Sequence, residues 1–134
     1  MFDENLSLQD SINKVINWIS DYRTAHTSDF FTYQSHKWDC DSRSVTNISG
    51  AVTIALMNGG NLPGGFQWRD YDNNMVDVTG AYMCGMAASY MTFVTASYIA
   101  SWQHKGTVAA LTDIAGVQEY EYTSSLWPDP NTQY

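Results

Sequence analysis

The chain is poor in charge, and in positive charge above all. Six lysines and arginines stand against fourteen aspartates and glutamates, and charged residues make up 15% of its 134 positions. The formal net charge of −8 repels a phosphate backbone and argues against nonspecific nucleic-acid binding, though it would permit mimicry of a nucleic acid. Cysteine is scarce as well. Cys40 and Cys84 lie far apart, without a CxxC and without histidine at a zinc-ligand spacing, so neither a disulfide framework nor a zinc site is indicated and both read as buried thiols. The acidic start Met1-Phe2-Asp3-Glu4-Asn5 lacks the basic residues and apolar run of a signal peptide, which implies a protein made and kept in a cytoplasm until assembly. No unbroken apolar run reaches membrane-spanning length: Ala81 to Ala100 is interrupted by Gly85, Ser89, Thr92, Thr95 and Ser97 and has no positive flank, so it reads as a core helix.

What is present is apolar and aromatic. Hydrophobic residues reach 44%, enough for one domain that buries about two thirds of the surface its unfolded chain exposes. The polar remainder is rich in Ser, Thr, Asn and Gln, a surface suited to lasting contact with other proteins. Five tryptophans and nine tyrosines exceed what such a core needs, and surplus aromatics tend to be interface anchors or platforms for sugars.

Ser7-Leu8-Gln9-Asp10 reads as a helix start with a weak capping box, followed by Leu8, Ile12, Val15, Ile16 and Ile19 at helical spacing and an end near Thr24 to Ser28. Phe30 to Gln34 and Lys37-Trp38 are β-prone around a turn at Ser35-His36. Asp41 or Ser42 can cap a second helix carrying Val45, Ile48, Val52 and Ala55, ended by Asn58-Gly59-Gly60. Phe66 to Arg69 and Met75 to Val78 alternate as a hairpin around Asp70 to Asn74. Thr79 opens a long helix to about Lys105, stopped by Gly106, and a short helical piece is expected from Thr107 to Ile114. The predicted fold is α+β: three helices, one long, packed on a small antiparallel sheet containing a hairpin. Ile16, Ile48, Val52, Tyr90 and Val94 should be buried, and Trp18, Trp38, Trp68 and Trp102 should serve the core.

Candidate chemistry is thin. Asp70-Tyr71-Asp72-Asn73-Asn74 begins like a calcium loop, but Met75 stands where glycine is required and Ala81 where the bidentate glutamate is required, so a polar turn is the better reading. Asp39-Cys40-Asp41 could chelate a metal beside a sugar nucleotide, yet a helix cap and its neighbour explain it more simply. His26, His36 and His104 share no motif with a nucleophile, and His104-Lys105 suits a helix C-terminus. No enzyme activity, cofactor, catalytic residue or metal site is therefore expected, and Asp39, Asp41, Asp70 and Asp72 are read as holding turns and helix starts.

Phe31-Thr32-Tyr33, Trp38-Asp39-Cys40-Asp41-Ser42 and Asn47-Ile48-Ser49-Gly50-Ala51, followed by Trp68-Arg69-Asp70-Tyr71-Asp72-Asn73 and Val76-Asp77-Val78-Thr79, resemble a phage-encoded domain of unknown function. That domain occurs in tail-fibre, tail-fibre-assembly and other tail proteins. The resemblance covers about Tyr22 to Leu111 and implies a division into an N-terminal amphipathic helix (1–28), a phage tail-associated α+β domain (29–115) and an extended C-terminal tail (116–134), compact as one domain. It implies a structural or accessory role in the tail, baseplate or fibre region, with other tail proteins as partners, symmetric copies in the virion, and no nucleic acid or membrane partner. The alternatives are a fibre-assembly chaperone, a small acidic inhibitor of host defence, and a sugar-binding tip. Tyr120, Tyr122, Trp127 and Tyr134, in a segment without periodicity, are the expected partner-binding residues, and the tail is expected to lie across a neighbouring subunit.

Overall fold

The computed structural model describes residues 7–123 and 125–134. The order of elements is α1 (Leu8–His26), β1 (Phe30–Tyr33), β2 (His36–Asp39), α2 (Ser42–Met57), β3 (Gln67–Arg69), β4 (Met75–Asp77), α3 (Gly80–Ala109) and α4 (Ile114–Glu119). The fold is α+β, with a long helix as expected. The antiparallel structure takes the form of two separate two-stranded hairpins, β1–β2 and β3–β4. The chain divides into two compact units, one formed by Thr27–Thr95 with Asp129–Tyr134 and the other by the residues up to His26 with Ala96–Pro128. Helix α3 supplies residues to both.

The hairpin unit begins from a tight turn. Gln34 and Ser35 both adopt left-handed backbone (φ 50° and 64°), the conformation that lets a two-residue loop follow the twist of its strands. Tyr33 is thereby paired with His36 and Phe31 with Trp38. The rings of Phe31 and Trp38 are both buried, and the indole N–H of Trp38 donates to the Tyr33 carbonyl at 3.1 Å, so the largest side chain of this core carries no unpaired donor. Ile48 and Ala51 of α2, and Met83, Met86 and Phe93 of α3, close the same cluster. Helix α2 ends where Asn58 is followed by Gly59 and Gly60, both at positive φ, and the Gly60 N–H returns to the Ala55 carbonyl at 2.6 Å. Helix α3 starts under the Thr79 hydroxyl, which accepts from the Tyr82 N–H at 3.1 Å.

The second unit is helical. The Ser7 hydroxyl accepts from the Asp10 N–H at 3.1 Å, so the cap expected from sequence forms. Ile12, Val15 and Ile19 of α1 meet Val108 of α3 and Val117 of α4 in one apolar cluster. Helix α4 is capped by Asp113, whose carboxylate accepts from the Gly116 N–H at 2.6 Å.

Several expectations need correction. Gly106 does not stop α3, which continues to Ala109; nothing lies near Gly106, and burying Val108 completely offsets the roughly 1 kcal/mol that glycine costs in a helix. The short helix falls at Ile114–Glu119 rather than from Thr107 to Ile114, so Gly116 lies inside a helix and the first residues of the expected extended tail are helical. Of the five residues expected in the core, Ile48 is buried and Ile16, Val52, Tyr90 and Val94 are half-buried. Trp38 is buried, Trp18 and Trp68 are half-buried, and Trp102, expected in the core, is 61% exposed. Cys40 is buried, but Cys84 only partly.

Two helical glycines should respond in opposite directions to alanine. A Cβ on Gly80 would sit 2.1 Å from the Gly60 carbonyl oxygen, a backbone atom that cannot swing away, whereas a Cβ on Gly50 meets open space. Gly80→Ala should cost about 1–3 kcal/mol as overpacking. Gly50→Ala should gain about 0.5–1 kcal/mol through helix propensity. Urea denaturation midpoints of the two variants check both signs.

Candidate functional site

Each unit has a histidine at its polar centre. In the hairpin unit, Asp70 follows β3 and is almost fully buried, at 2% exposure. Its carboxylate accepts from the Asn74 backbone N–H at 2.8 Å, closing the β3–β4 turn, and from His36 Nδ1 at 2.9 Å. The Tyr71 N–H donates to the Lys37 carbonyl at 2.8 Å, so side chain and backbone together join the two hairpins at their turns. Burial alone would raise the Asp70 carboxyl, but hydrogen bonds from the Asn74 backbone, the His36 ring and the Asp72 backbone outweigh it and hold the group below the ordinary aspartate value. The same turn places Asn73 at φ 66°, a left-handed position that asparagine tolerates. What the sequence presented as a failed calcium loop is thus a turn organised around one buried carboxylate.

The other aspartates behave differently. Asp41 occupies the N-cap position of α2, but its side chain makes no cap hydrogen bond and takes the Ser44 hydroxyl instead, which corrects the expectation that it caps through a backbone N–H. Asp39 is raised by burial and then by the charges of Asp41, Asp29 and Asp70. Burial, followed by Asp29, Asp41 and Asp39, pushes the Cys40 thiol up to about 12, so it stays protonated and a poor nucleophile at neutral pH. Among the described residues no group of three or more His, Cys, Asp or Glu is placed to hold a metal ion.

In the helical unit, His104 is buried at 2% exposure rather than presented to solvent at a helix end. Its Nε2 donates to the Ser125 carbonyl at 2.8 Å, and Nδ1 is hydrogen-bonded to the Tyr120 hydroxyl at 2.7 Å. The Trp127 ring stacks on the imidazole (5.6 Å, 19°), and the Trp127 indole N–H donates to the Tyr122 carbonyl at 2.7 Å. The ring nitrogen of His26 meets the carbonyl of Pro128, itself buried, at 2.7 Å.

The four residues expected to bind a partner are therefore divided. Tyr120, Tyr122 and Trp127 are half-buried and pack on the helical unit's core; Tyr134 is 40% exposed and lies against Phe93, with its hydroxyl accepting from the Asp129 N–H at 2.9 Å. The last residues are tied to β1 through the Thr32 hydroxyl, which donates to the Pro130 carbonyl at 2.7 Å, and the Gln34 N–H, which donates to the Gln133 side chain at 2.6 Å. Tyr120, Tyr122 and Trp127 thus pack on the cluster of Ile12, Val15, Ile19, Val108 and Val117 of their own chain. Sequence reasoning missed the His36–Asp70 pair, whose members stand 34 positions apart, and the exposed side chains of Tyr98, Ile99 and Trp102 (40%, 44% and 61%) on one face of α3. A shallow groove of about 480 Å³ runs along Thr46, Asn47, Gly50, Ala51, Ile54, Phe66 and Trp68, with no charged side chain in its wall.

A small α+β chain whose polar centres close turns and tie down a terminal segment is the class that fold and geometry define. The chain belongs to the family described as domain of unknown function DUF4376, whose model matches residues 12–123. No curated protein and no solved structure matches it.

The two polar centres yield two expected outcomes. Because folding depresses the Asp70 carboxyl, its contribution is fully present above the unfolded aspartate value of about 3.9 and fades as pH falls through the lower folded value. Asp70→Asn should cost about 1–3 kcal/mol at neutral pH and flatten the acid limb of the stability curve, as measured by urea denaturation from neutral pH downward. Trp127→Ala should cost about 2–4 kcal/mol, since it removes the lid on His104 and a donor to Tyr122, and a calorimetric melt would register it.

Proposed function

We propose that the chain acts through protein–protein contacts as a structural or accessory component of a bacteriophage tail, in the tail, baseplate or fibre region. The observation that carries this reading is the apolar face of α3 in the helical unit, where Tyr98, Ile99 and Trp102 stand exposed at positions i, i+1 and i+4. A tryptophan 61% exposed beside a tyrosine, ring centroids 5.9 Å apart, is a costly surface for a chain that works alone and an effective anchor for one that does not. The Arg23 guanidinium lies 4.3 Å from the Tyr98 ring centroid and adds the third residue type enriched in interface anchors. Further apolar side chains, Leu56 and Met57 at the end of α2, are 68% and 80% exposed in the hairpin unit. The tail assignment rests on the motif resemblance of Phe31 to Ala51 and Trp68 to Thr79, and multiple copies arranged by symmetry would follow from it.

Trp102→Ala should change stability by less than about 0.5 kcal/mol, because the ring is exposed, and still remove the chain from its assembly. Mass spectrometry of purified particles of the encoding phage is the direct test. Stoichiometric recovery of the wild-type chain supports a virion component. Presence in the lysate with absence from the particle favours the assembly-chaperone reading, and presence in neither tail fractions nor tail complexes removes both.

A further inference from the structure

We infer that the helical unit carries a recognition site for a cationic side chain, lysine or arginine, of a partner protein. The site is a recess of about 500 Å³ lined by Trp18, Asp21, Tyr22 and Tyr122. Trp18, Asp21 and Tyr22 stand at i, i+3 and i+4 on α1 and so share one helical face, and Tyr122 comes from the segment after α4. The Tyr22 and Tyr122 rings meet at 84° with centroids 6.1 Å apart, forming a corner of two aromatic walls. Both walls are held before any ligand arrives. The Tyr22 hydroxyl donates to the Thr123 carbonyl at 3.3 Å, its ring packs on Trp127 at 4.9 Å, and the Trp127 indole fixes the Tyr122 backbone.

The chemistry of the lining selects the occupant. Aromatic rings carry negative electrostatic potential on their faces, and a lining of Trp18, Tyr22 and Tyr122 beside the Asp21 carboxylate favours a cation over an anion. Asp21 is exposed and, among the described residues, makes no ion pair or hydrogen bond, so its charge is available to an incoming group. The unit already uses its own cations in this way: Lys14 Nζ lies 6.0 Å from the Trp18 ring centroid, and Arg23 lies over Tyr98. The net charge of −8 adds long-range attraction for a basic partner surface. The recess is open to solvent, which suits a side chain presented by another protein. The inference rests on the protein-binding reading above but not on its assignment to a tail.

The test is a titration of the full chain, followed by tryptophan fluorescence and amide chemical shifts, with N-acetyl-lysine methylamide, N-acetyl-arginine methylamide, the neutral N-acetyl-norleucine methylamide and methyl glucoside. Saturable binding of one or both cations, with norleucine and the glucoside at least 5-fold weaker, is the expected result. Asp21→Asn and Tyr122→Leu should each weaken cation binding by about 2- to 5-fold, the scale of one exposed cation–π or charge contact. Trp18→Phe, which keeps a ring and the fold, should weaken it less than Tyr122→Leu, and unchanged melting temperatures in Asp21→Asn and Trp18→Phe keep the comparison valid if Tyr122→Leu unfolds. Equal binding of norleucine, preferential binding of the glucoside, absence of saturable binding, or unchanged affinity in Asp21→Asn would each overturn the site. A chain that binds the cations but is absent from particles and tail complexes keeps the site and loses the tail reading.

Discussion

A single buried carboxylate, that of Asp70, organises the hairpin unit. A carboxylate removed from water must recover its lost hydration from fixed donors, and here the donors come from two places. The Asn74 N–H closes the β3–β4 turn, and His36, at the start of β2, brings in the other hairpin. Two-stranded hairpins are marginal alone. Joined at their turns, and laid with α2 and the first half of α3 around Phe31, Trp38 and Phe93, they become parts of one core. Nearby, Asp39 and Cys40 are both shifted upward, by burial first and then by neighbouring aspartate charge.

His104 plays the corresponding part in the helical unit. With one nitrogen hydrogen-bonded to the Tyr120 hydroxyl and the other to the Ser125 carbonyl, its ring is satisfied at both ends and offers its face to Trp127. The segment after α4 is held by this arrangement rather than by regular secondary structure. That makes the aromatic residues there both part of a core and part of a surface. Tyr122 packs on the apolar cluster and also forms a wall of the recess with Trp18, Asp21 and Tyr22. A partner engaging the recess would therefore touch residues on which the unit's stability depends.

Much of the fold was legible because it is local. The caps at Ser7 and Thr79, the glycine end of α2 and the polar turn after Trp68 each form with the residues that signalled them. What misled was composition taken without space around it. Gly106 resembles a helix stop, but its φ is not positive and no neighbour crowds it, so the helix continues. Trp102 fits the periodic stripe of a core helix, yet a tryptophan on such a stripe faces whatever happens to lie there, and in this chain that is solvent. Asp41 sits in the N-cap position without making the cap bond, because Ser44 takes its carboxylate. The candidate site was hardly legible: Tyr122 was singled out for its lack of periodicity, but its meeting with Trp18, Asp21 and Tyr22 across about a hundred residues has no sequence signature.

On the proposed function, the exposed aromatic surface of α3 becomes covered by another protein. Hydroxyl-radical footprinting, comparing the free chain with the chain in the assembly it joins, measures that covering residue by residue. Oxidation of Trp102 and Tyr98 should fall several-fold on assembly, while buried Trp38 stays low and unchanged in both states. Equal oxidation of Trp102 and Tyr98 in the free and assembled chain would contradict the account.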